Sequence, residues 1–571
     1  MKILLLCSSF NGLTQRIWTE LRHTGHDVSW TAWAGDEAVR AAVEAADPDL
    51  VLCPFLKERV PDDVWRTRRT VIIHPGPVGD RGPSSLDWAI SDAEPEWGVT
   101  ALSAIDEMDA GPVWATRSFP MPAEPPRKGV LYAGAVTDAA AALALEVVEK
   151  AGRPDFVPEP LDPEQAPGRL RPTMTQNDRE FSWSDPTADI LRRIRAADGS
   201  PGVRTELAGL PVSVFDAHCG TAQLDGEGAP GSIALRRHGA VLVRTGDGAI
   251  WVGQARPVPG AVGPRVKLPA ATVLADRVVD VPEALDPVTD DEAHREIAYR
   301  QVGDVGVLTF DFYNGAASTG QSYRLAAALR AAAARDTRVL LLQGGPVFCN
   351  GIHLNVIEAR RDPAAEAWRN INAIDDACRE IITCTRQLVV AAVGGNAGAG
   401  GVMLALGADQ VLLRSGVVLN PHYRTMGLFG SEYWTYVLPR RVGAHRAARL
   451  TEECLPLGAK EAVEIGLADA VMLGDRAMFD TAVLEHAKAL ATHDHLPRWL
   501  AAKAAVREDD EQRRPLETYR VRELAEMSHD IFDDRNGFAA SRHAFVTKQK
   551  VVPAPRVSAD ARTRRIPARV G

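Results

Sequence analysis

The chain carries two kinds of chemical equipment: side chains that move protons and glycine turns that offer backbone donors. The stretch Val71-Ile-Ile-His-Pro-Gly-Pro-Val-Gly-Asp-Arg-Gly-Pro83 puts His74 at the end of an apolar run, ahead of a stiff loop. A histidine at a strand end can exchange protons with a ligand lying over the sheet edge. Further on, Ile105-Asp-Glu-Met-Asp-Ala-Gly-Pro-Val113 sets Asp109 just before a tight turn. The donors lie later. Val339 to Gln343 runs into Gly344-Gly-Pro-Val-Phe-Cys-Asn-Gly-Ile-His-Leu354, and Gly394 to Ala405 repeats that design. Strand, glycine turn and helix start can aim a backbone N–H at a ligand oxygen. Taken singly, each feature also has a plainer reading: a strand-end histidine or a pre-turn aspartate can be structural, and either glycine loop can serve close packing.

Sheets are needed to position these groups. The N-terminal region alternates short apolar runs (3–7, 50–53, 71–73) with helical-period segments (13–23, 37–46). That pattern predicts parallel strands with crossover helices in an open α/β sheet. Ligands on such sheets sit beyond the carboxyl ends of the strands, where loops 8–12, 54–61 and 74–85 fall. Neither a G-x-G-x-x-G nor a Walker pattern accompanies them, which speaks against nucleotide-phosphate binding there. An alanine-rich helix over 133–150 is followed by Pro154, Pro158, Pro160, Pro163 and Pro167, the mark of a linker. The text then changes to one helix and short β-like runs, and a second proline-rich crossing leads to a third region of strands and helices. The expected division is 1–165, a small β-rich module over 166–270, a linker over 271–294, a third domain over 295–550 and a tail over 551–571. The tail holds five arginines against one aspartate and is expected to be solvated.

Composition narrows the class. At 571 residues the chain is several times the ~150 typical of one domain. Its 65 basic and 75 acidic residues give a net charge of −10, which argues against broad nucleic-acid binding or a polybasic membrane contact. Seven scattered cysteines with no C-x-x-C pair offer neither a disulfide framework nor a zinc knuckle, so no metal is expected. The apolar start is too short for a signal-peptide core, and a cytoplasmic location is expected. Residues 387–408 carry no charge over a length that could span a bilayer. Five glycines fall in the middle of that segment, however, so buried strand, glycine loop and helix is the better reading.

The His-Pro loop ending in Arg81-Gly82, taken with the Asp109-Ala-Gly-Pro turn, resembles the folate-dependent formyltransferases and formyltetrahydrofolate hydrolases over residues 1 to about 255. Trp183-Ser-Asp-Pro, Ile194-Arg-Ala and Pro201-Gly-Val look like the C-terminal β-barrel domain of the transfer-RNA formyltransferases. The resemblance implies 10-formyltetrahydrofolate as co-substrate, His74 as acid/base, Asp109 as its electrostatic and relay partner, and 54–61 along the pterin. One position departs from the pattern. Where the family has an Asn two residues before the His, this chain has Ile72. Losing such a donor costs on the order of 100-fold in rate, and Asn11 is a candidate replacement.

Both glycine loops together resemble the crotonase (enoyl-CoA hydratase/isomerase) superfamily over residues 296 to 550. By that resemblance the chain binds coenzyme A. The Ile352 and Gly400 N–H groups form an oxyanion hole, and Arg542, Phe545 and Lys548 lie against the CoA adenine. The two hydratase glutamates are replaced by Met403 and His422, so hydration lacks its acid and base. The acyl pocket would be lined by His353, Met403, His422, Tyr423, Glu432, Tyr433 and Tyr436, with Glu432 and Tyr433 as neighbours suited to proton removal and relay.

Phe310-Asp-Phe-Tyr-Asn-Gly315, Asn350-Gly-Ile-His-Leu-Asn355 and Gly430-Ser-Glu-Tyr-Trp-Thr-Tyr436 extend the likeness to hydrogenase maturation factors that fuse both halves. The implied activity is formyl transfer to CoA followed by decarbonylation of formyl-CoA. The carbon monoxide would serve the iron-ligand assembly machinery of [NiFe] hydrogenases, with no nucleic acid and no membrane as partner. Two alternatives stand beside it. One is a formyltetrahydrofolate hydrolase or a formyltransferase to another acceptor, with a CoA-binding but non-decarbonylating third domain. The other is a non-catalytic assembly platform.

Overall fold

The computed structural model describes residues 1–220, 224, 227–263, 265–285 and 294–549. The tail 551–571 lies outside the described residues. The first sheet has six strands, β1 (Lys2–Cys7), β2 (Asp27–Ala32), β3 (Leu50–Phe55), β4 (Thr70–His74), β5 (Glu96–Ser103) and β6 (Val113–Pro120), in the order β2-β1-β3-β4-β5-β6. Strands β1 to β4 pair in parallel as the alternation predicts, whereas β5 runs antiparallel to both β4 and β6. The helix between β4 and β5, Ser85–Ser91, has 7 residues and spans only about 10 Å, too short to carry the chain back for a parallel crossover. Strand β1 shows why its run is continuously apolar. Ile3 and Leu5 face one core with helices Gly12–His23 and Thr137–Ala151, while Leu4 and Leu6 face a second core with Val39 and Val43.

The second module is an antiparallel sheet in the order Val203–Leu207, Leu210–Cys219, Ala249–Pro257, Ala240–Arg244, Ile233–Arg237. The expected barrel does not close: the first and last of these strands do not pair among the described residues. Helix Thr187–Ala196 and helix Ala270–Leu274 instead cover the sheet with Ile190, Ile194 and Leu274, so a helix-on-sheet core replaces closure. Leu274 and Val278, inside the stretch expected as linker, belong to this core.

The third region has a six-stranded sheet, Ile297–Val302, Val305–Phe310, Val339–Gly344, Leu388–Val393, Gln410–Arg414 and Ala470–Met472. All its pairs after the first are parallel. Three of these strands lead through turns into short strands of a second sheet, Val347–Cys349, Asn396–Gly398 and Val418–Asn420. The uncharged segment 387–408 is thus strand, turn, short strand and helix Gly400–Leu406, buried within this core. Helices Pro363–Thr383 and Leu516–Phe532 pack together beside it.

The three regions interlock. Arg127 of the first pairs with Asp216 of the second and, at 3.2 Å, with Asp311 of the third. Asp138 on helix Thr137–Ala151 lies between Arg16 of helix Gly12–His23 and Arg414 of strand Gln410–Arg414.

Candidate functional site

Strand β4 delivers His74 into a buried position at the start of its loop. Gly76 has no side chain, and a Cβ there would overlap the Asp80 carboxyl, so the turn brings Asp80 back onto the imidazole. His74 Nε2 is 2.8 Å from Asp80 Oδ2, and Nδ1 is 3.5 Å from Asp109 Oδ2. Asp109 itself sits in the left-handed region at φ 56°. Burial works against charge on this imidazole, but the Asp80 hydrogen bond and the charges of Asp109 and Asp80 outweigh it and raise its pKa. A histidine held between two carboxylates favours the imidazolium and can give a proton as well as take one. Asp80 was not singled out in the sequence. Its only signal is the Gly-Pro-Val-Gly spacing that lets the loop fold back.

An open cleft meets this group at Asp109. Leu56, Val60, Ile72 and Leu102 line it, so the segment expected along the pterin forms one wall. Asn11 is occupied elsewhere: its Oδ1 accepts the Thr14 N–H at 3.0 Å as a helix cap, and its amide donates to Tyr132 Oη at 3.2 Å.

In the third region the two glycine loops meet. Gly351, at φ 76°, comes within 3.3 Å of the Gly400 nitrogen, measured from where its Cβ would be. Neither the Ile352 nor the Gly400 N–H finds an acceptor among the described residues. A Cβ on Gly400 would overlap the carboxyl of Glu432, which is buried and lies against this loop. Tyr423 Oη donates to Glu432 Oε2 at 2.9 Å and the Ser431 N–H donates to the same oxygen at 3.2 Å. Burial raises the Glu432 pKa, which these two donors partly offset. The arrangement sets a carboxyl that favours its proton beside two open backbone donors.

The relay expected between Glu432 and Tyr433 does not form. Both residues are left-handed, at φ 61° and 59°, and the two side chains diverge. Tyr433 lies among Arg520, Asp375, Glu517 and Arg379, and its hydroxyl has no partner among the described residues. The phenol that reaches Glu432 is that of Tyr423. Tyr436 turns its hydroxyl outward to Asp510 at 2.9 Å. His353 caps a helix, its Nδ1 accepting the Val356 N–H at 3.3 Å, and burial lowers its pKa to about 4, so it is neutral. His422 Nδ1 donates to the Asn420 carbonyl at 2.7 Å, which leaves Nε2 as acceptor, and burial keeps the ring neutral. Met403 is fully buried on helix Gly400–Leu406.

Of the last-helix residues, Arg542 is paired with Glu358 at 2.7 Å and stacked over Phe538. Phe545 is exposed, with the Lys548 ammonium 4.6 Å from its ring centroid. Opposite lies Lys267, which had no motif to mark it. Its ammonium donates to the Gly199 carbonyl and to Tyr313 Oη, both at 2.9 Å, and sits 4.1 Å from the Phe215 centroid. Burial lowers its pKa to about 8, with the charges of Arg256 and Lys548 adding to the effect against those of Asp198 and Asp216. Three cations gathered beside an exposed aromatic ring suit a polyanion that carries a flat base.

Residues 315–552 match the enoyl-CoA hydratase/isomerase family, and residues 173–261 match the formyl transferase C-terminal domain. The chain is 44% identical to the hydrogenase maturation factor HoxX of Bradyrhizobium diazoefficiens, over 100% of this chain and 99% of that protein. A methionyl-tRNA formyltransferase of Roseiflexus sp. is 30% identical over 40% of this chain and 70% of its own length. Among solved structures, HypX from Aquifex aeolicus in complex with tetrahydrofolic acid is 39% identical, covers 97% of each chain and superposes with a TM-score of 0.92.

Proposed function

The chain belongs to the HoxX/HypX family of hydrogenase maturation factors, and from that premise we propose that it makes carbon monoxide from a folate-bound formyl group in two coupled steps. In the first, the CoA thiol sulfur attacks the formyl carbon of 10-formyltetrahydrofolate and the carbon–nitrogen bond to the folate breaks. The thiol proton goes to the folate nitrogen, with His74 passing it and Asp80 and Asp109 stabilising the imidazolium. In the second, the Ile352 and Gly400 N–H groups hold the formyl oxygen of the thioester. The Glu432 carboxylate removes the formyl proton, the C–H electron pair stays on carbon, and the carbon–sulfur bond breaks onto sulfur. Carbon monoxide leaves, and the proton returns to the thiolate to give CoA. No water takes part, consistent with Met403 and His422 standing where hydratases carry glutamates.

The observation that carries this reading is the Glu432 carboxyl lying against Gly400, beside two unengaged backbone donors. The cations Lys267, Arg256 and Lys548 with Phe545 support a seat for the CoA phosphates and adenine. The product would be the carbon monoxide ligand of the [NiFe] hydrogenase iron, handed in the cytoplasm to the machinery that assembles it. Mixing the protein with 10-formyltetrahydrofolate and CoA, and assaying carbon monoxide with reduced haemoglobin, tests the reading. No carbon monoxide above a His74→Ala control sinks it, and formate release independent of CoA points to a hydrolase instead.

A further inference from the structure

The backbone N–H groups from Asn350 to His353 meet different fates. The Asn350 N–H donates to the Gly315 carbonyl at 2.7 Å, and the Gly351 N–H to Cys349 Sγ at 3.3 Å. The His353 N–H donates to the side-chain oxygen of Asn370 at 3.0 Å. That leaves the Ile352 N–H open among the described residues. Its direction is set by the peptide that carries it: the Gly351 carbonyl accepts the Ala317 N–H at 2.9 Å, and in a planar trans peptide the next N–H points the opposite way. The Gly400 N–H is aimed by backbone alone, because the Ala399 carbonyl accepts the Val402 N–H at 3.1 Å in the first turn of helix Gly400–Leu406. The Ile352 N–H lies ahead of its own helix, Leu354–Glu358, and there a side chain takes part.

Asn370 stands on the buried face of helix Pro363–Thr383, beside Ala367, Ile371 and Ile374. An amide there needs a reason, and both of its ends have one. Its oxygen accepts the His353 N–H, and its Nδ2 donates to the Ala317 carbonyl at 2.9 Å. Ala317 and Ile352 face each other as an isolated parallel bridge, so the amide sits between the two segments that meet at the open donor. We propose that Asn370 is a positioning residue for the second site: by spacing Ala317 from His353 it aims the Ile352 N–H at the thioester oxygen. This rests on the reading that the Ile352 and Gly400 N–H groups hold that oxygen. The two bonds restrict the side chain. Leucine pairs with neither backbone group, ionised aspartate sets an acceptor against the Ala317 carbonyl, and glutamine is one methylene longer. Without the amide, Ala317 and His353 either stay buried and unpaired or close on each other, and both outcomes turn the Ile352 peptide.

Asn370→Ala keeps the helix, since alanine is a strong helix former, and removes both bonds. With formyl-CoA supplied directly, the expected result is a roughly 10- to 100-fold fall in kcat for carbon monoxide formation, with KM unchanged. A second readout needs no turnover. Acetyl-CoA labelled with carbon-13 at its carbonyl should show a lowered infrared carbonyl stretch on binding the unmodified protein, and a clearly smaller shift on binding Asn370→Ala. Asn370→Asp is the second variant, and it serves if the first does not fold. Its protonated carboxyl can make both bonds and its carboxylate only one, so its rate relative to the unmodified protein should fall as pH rises. An unchanged kcat and an unchanged carbonyl shift in Asn370→Ala, or a pH-independent relative rate in Asn370→Asp, overturns the proposal. An acetyl carbonyl that keeps its aqueous frequency in the unmodified protein overturns instead the reading of Ile352 and Gly400 as the oxygen's donors.

Discussion

His74 is set by what its loop folds onto it. Because Asp80 and Asp109 raise its pKa, the native state holds the imidazole proton more tightly than the unfolded chain does. The stabilisation is complete below the unfolded value of about 6.5 and is lost as pH rises through the higher folded value. The contribution of His74 to the thermal midpoint should therefore decline with rising pH above neutrality, and Asp80→Asn should flatten that decline while bringing the loss of formyl transfer to lower pH. A midpoint profile identical in both proteins would contradict this. His74→Ala should slow folate deformylation by about 10²- to 10⁴-fold. His74 and Asp109 were visible in the sequence because each stands in a motif of fixed spacing. Asp80 was not, since its role depends on a glycine at 76 that lets the loop bring it back onto His74. Tyr423 and Tyr433 show the same limit: adjacency to Glu432 in sequence suggested Tyr433, but a left-handed turn gives the contact to the tyrosine nine residues earlier.

At the scale of elements, the glycine loops work by bringing a helix start against a neighbouring carboxyl. Gly400→Ala should push Glu432 off its position and slow the second step by about 100-fold or more, so that formyl-CoA accumulates in place of carbon monoxide; chromatography of the CoA species reads this directly. The second sensitive joint is between elements of different regions. Asp138 stands between the largely buried guanidiniums of Arg16 and Arg414 and is itself about one-third exposed, at 35%. Asp138→Ala leaves two cations facing each other and should cost about 1–3 kcal/mol, less than for a fully buried pair because water reaches the carboxylate. The unfolding midpoint in urea measures it. Element types followed from periodicity, because apolar runs bounded by glycine and proline leave few choices. Directions did not: β5 turns antiparallel and the second sheet stays open for reasons of connection length and helix cover that local pattern does not carry.

Across the whole molecule, the length that first implied several cores also explains where the cations sit. Lys267 and Arg256 come from the middle of the chain and Lys548 from the turn just after its last described helix, so their site exists only when the regions are joined. Fusion was legible in the two sets of motifs, whereas this junction was not, being built from single residues far apart in sequence. Lys267→Ala should weaken CoA binding by roughly 10- to 100-fold and reduce its dependence on salt, as calorimetry at two ionic strengths would show. Joining the regions also bears on the fate of the formyl group. Helix Gly12–His23, which follows β1 of the first sheet, packs against the third region, and Gly12 approaches the Asn396 amide at the start of the second site's glycine strand. On the reaction proposed above, a formyl thioester made at one site is expected to be used at the other without release. With isotopically labelled 10-formyltetrahydrofolate and excess unlabelled formyl-CoA in the medium, the carbon monoxide released should keep nearly the full label of the folate. Dilution in proportion to the added thioester would mean that the intermediate passes through solvent, and that the regions are joined for some other purpose than transfer.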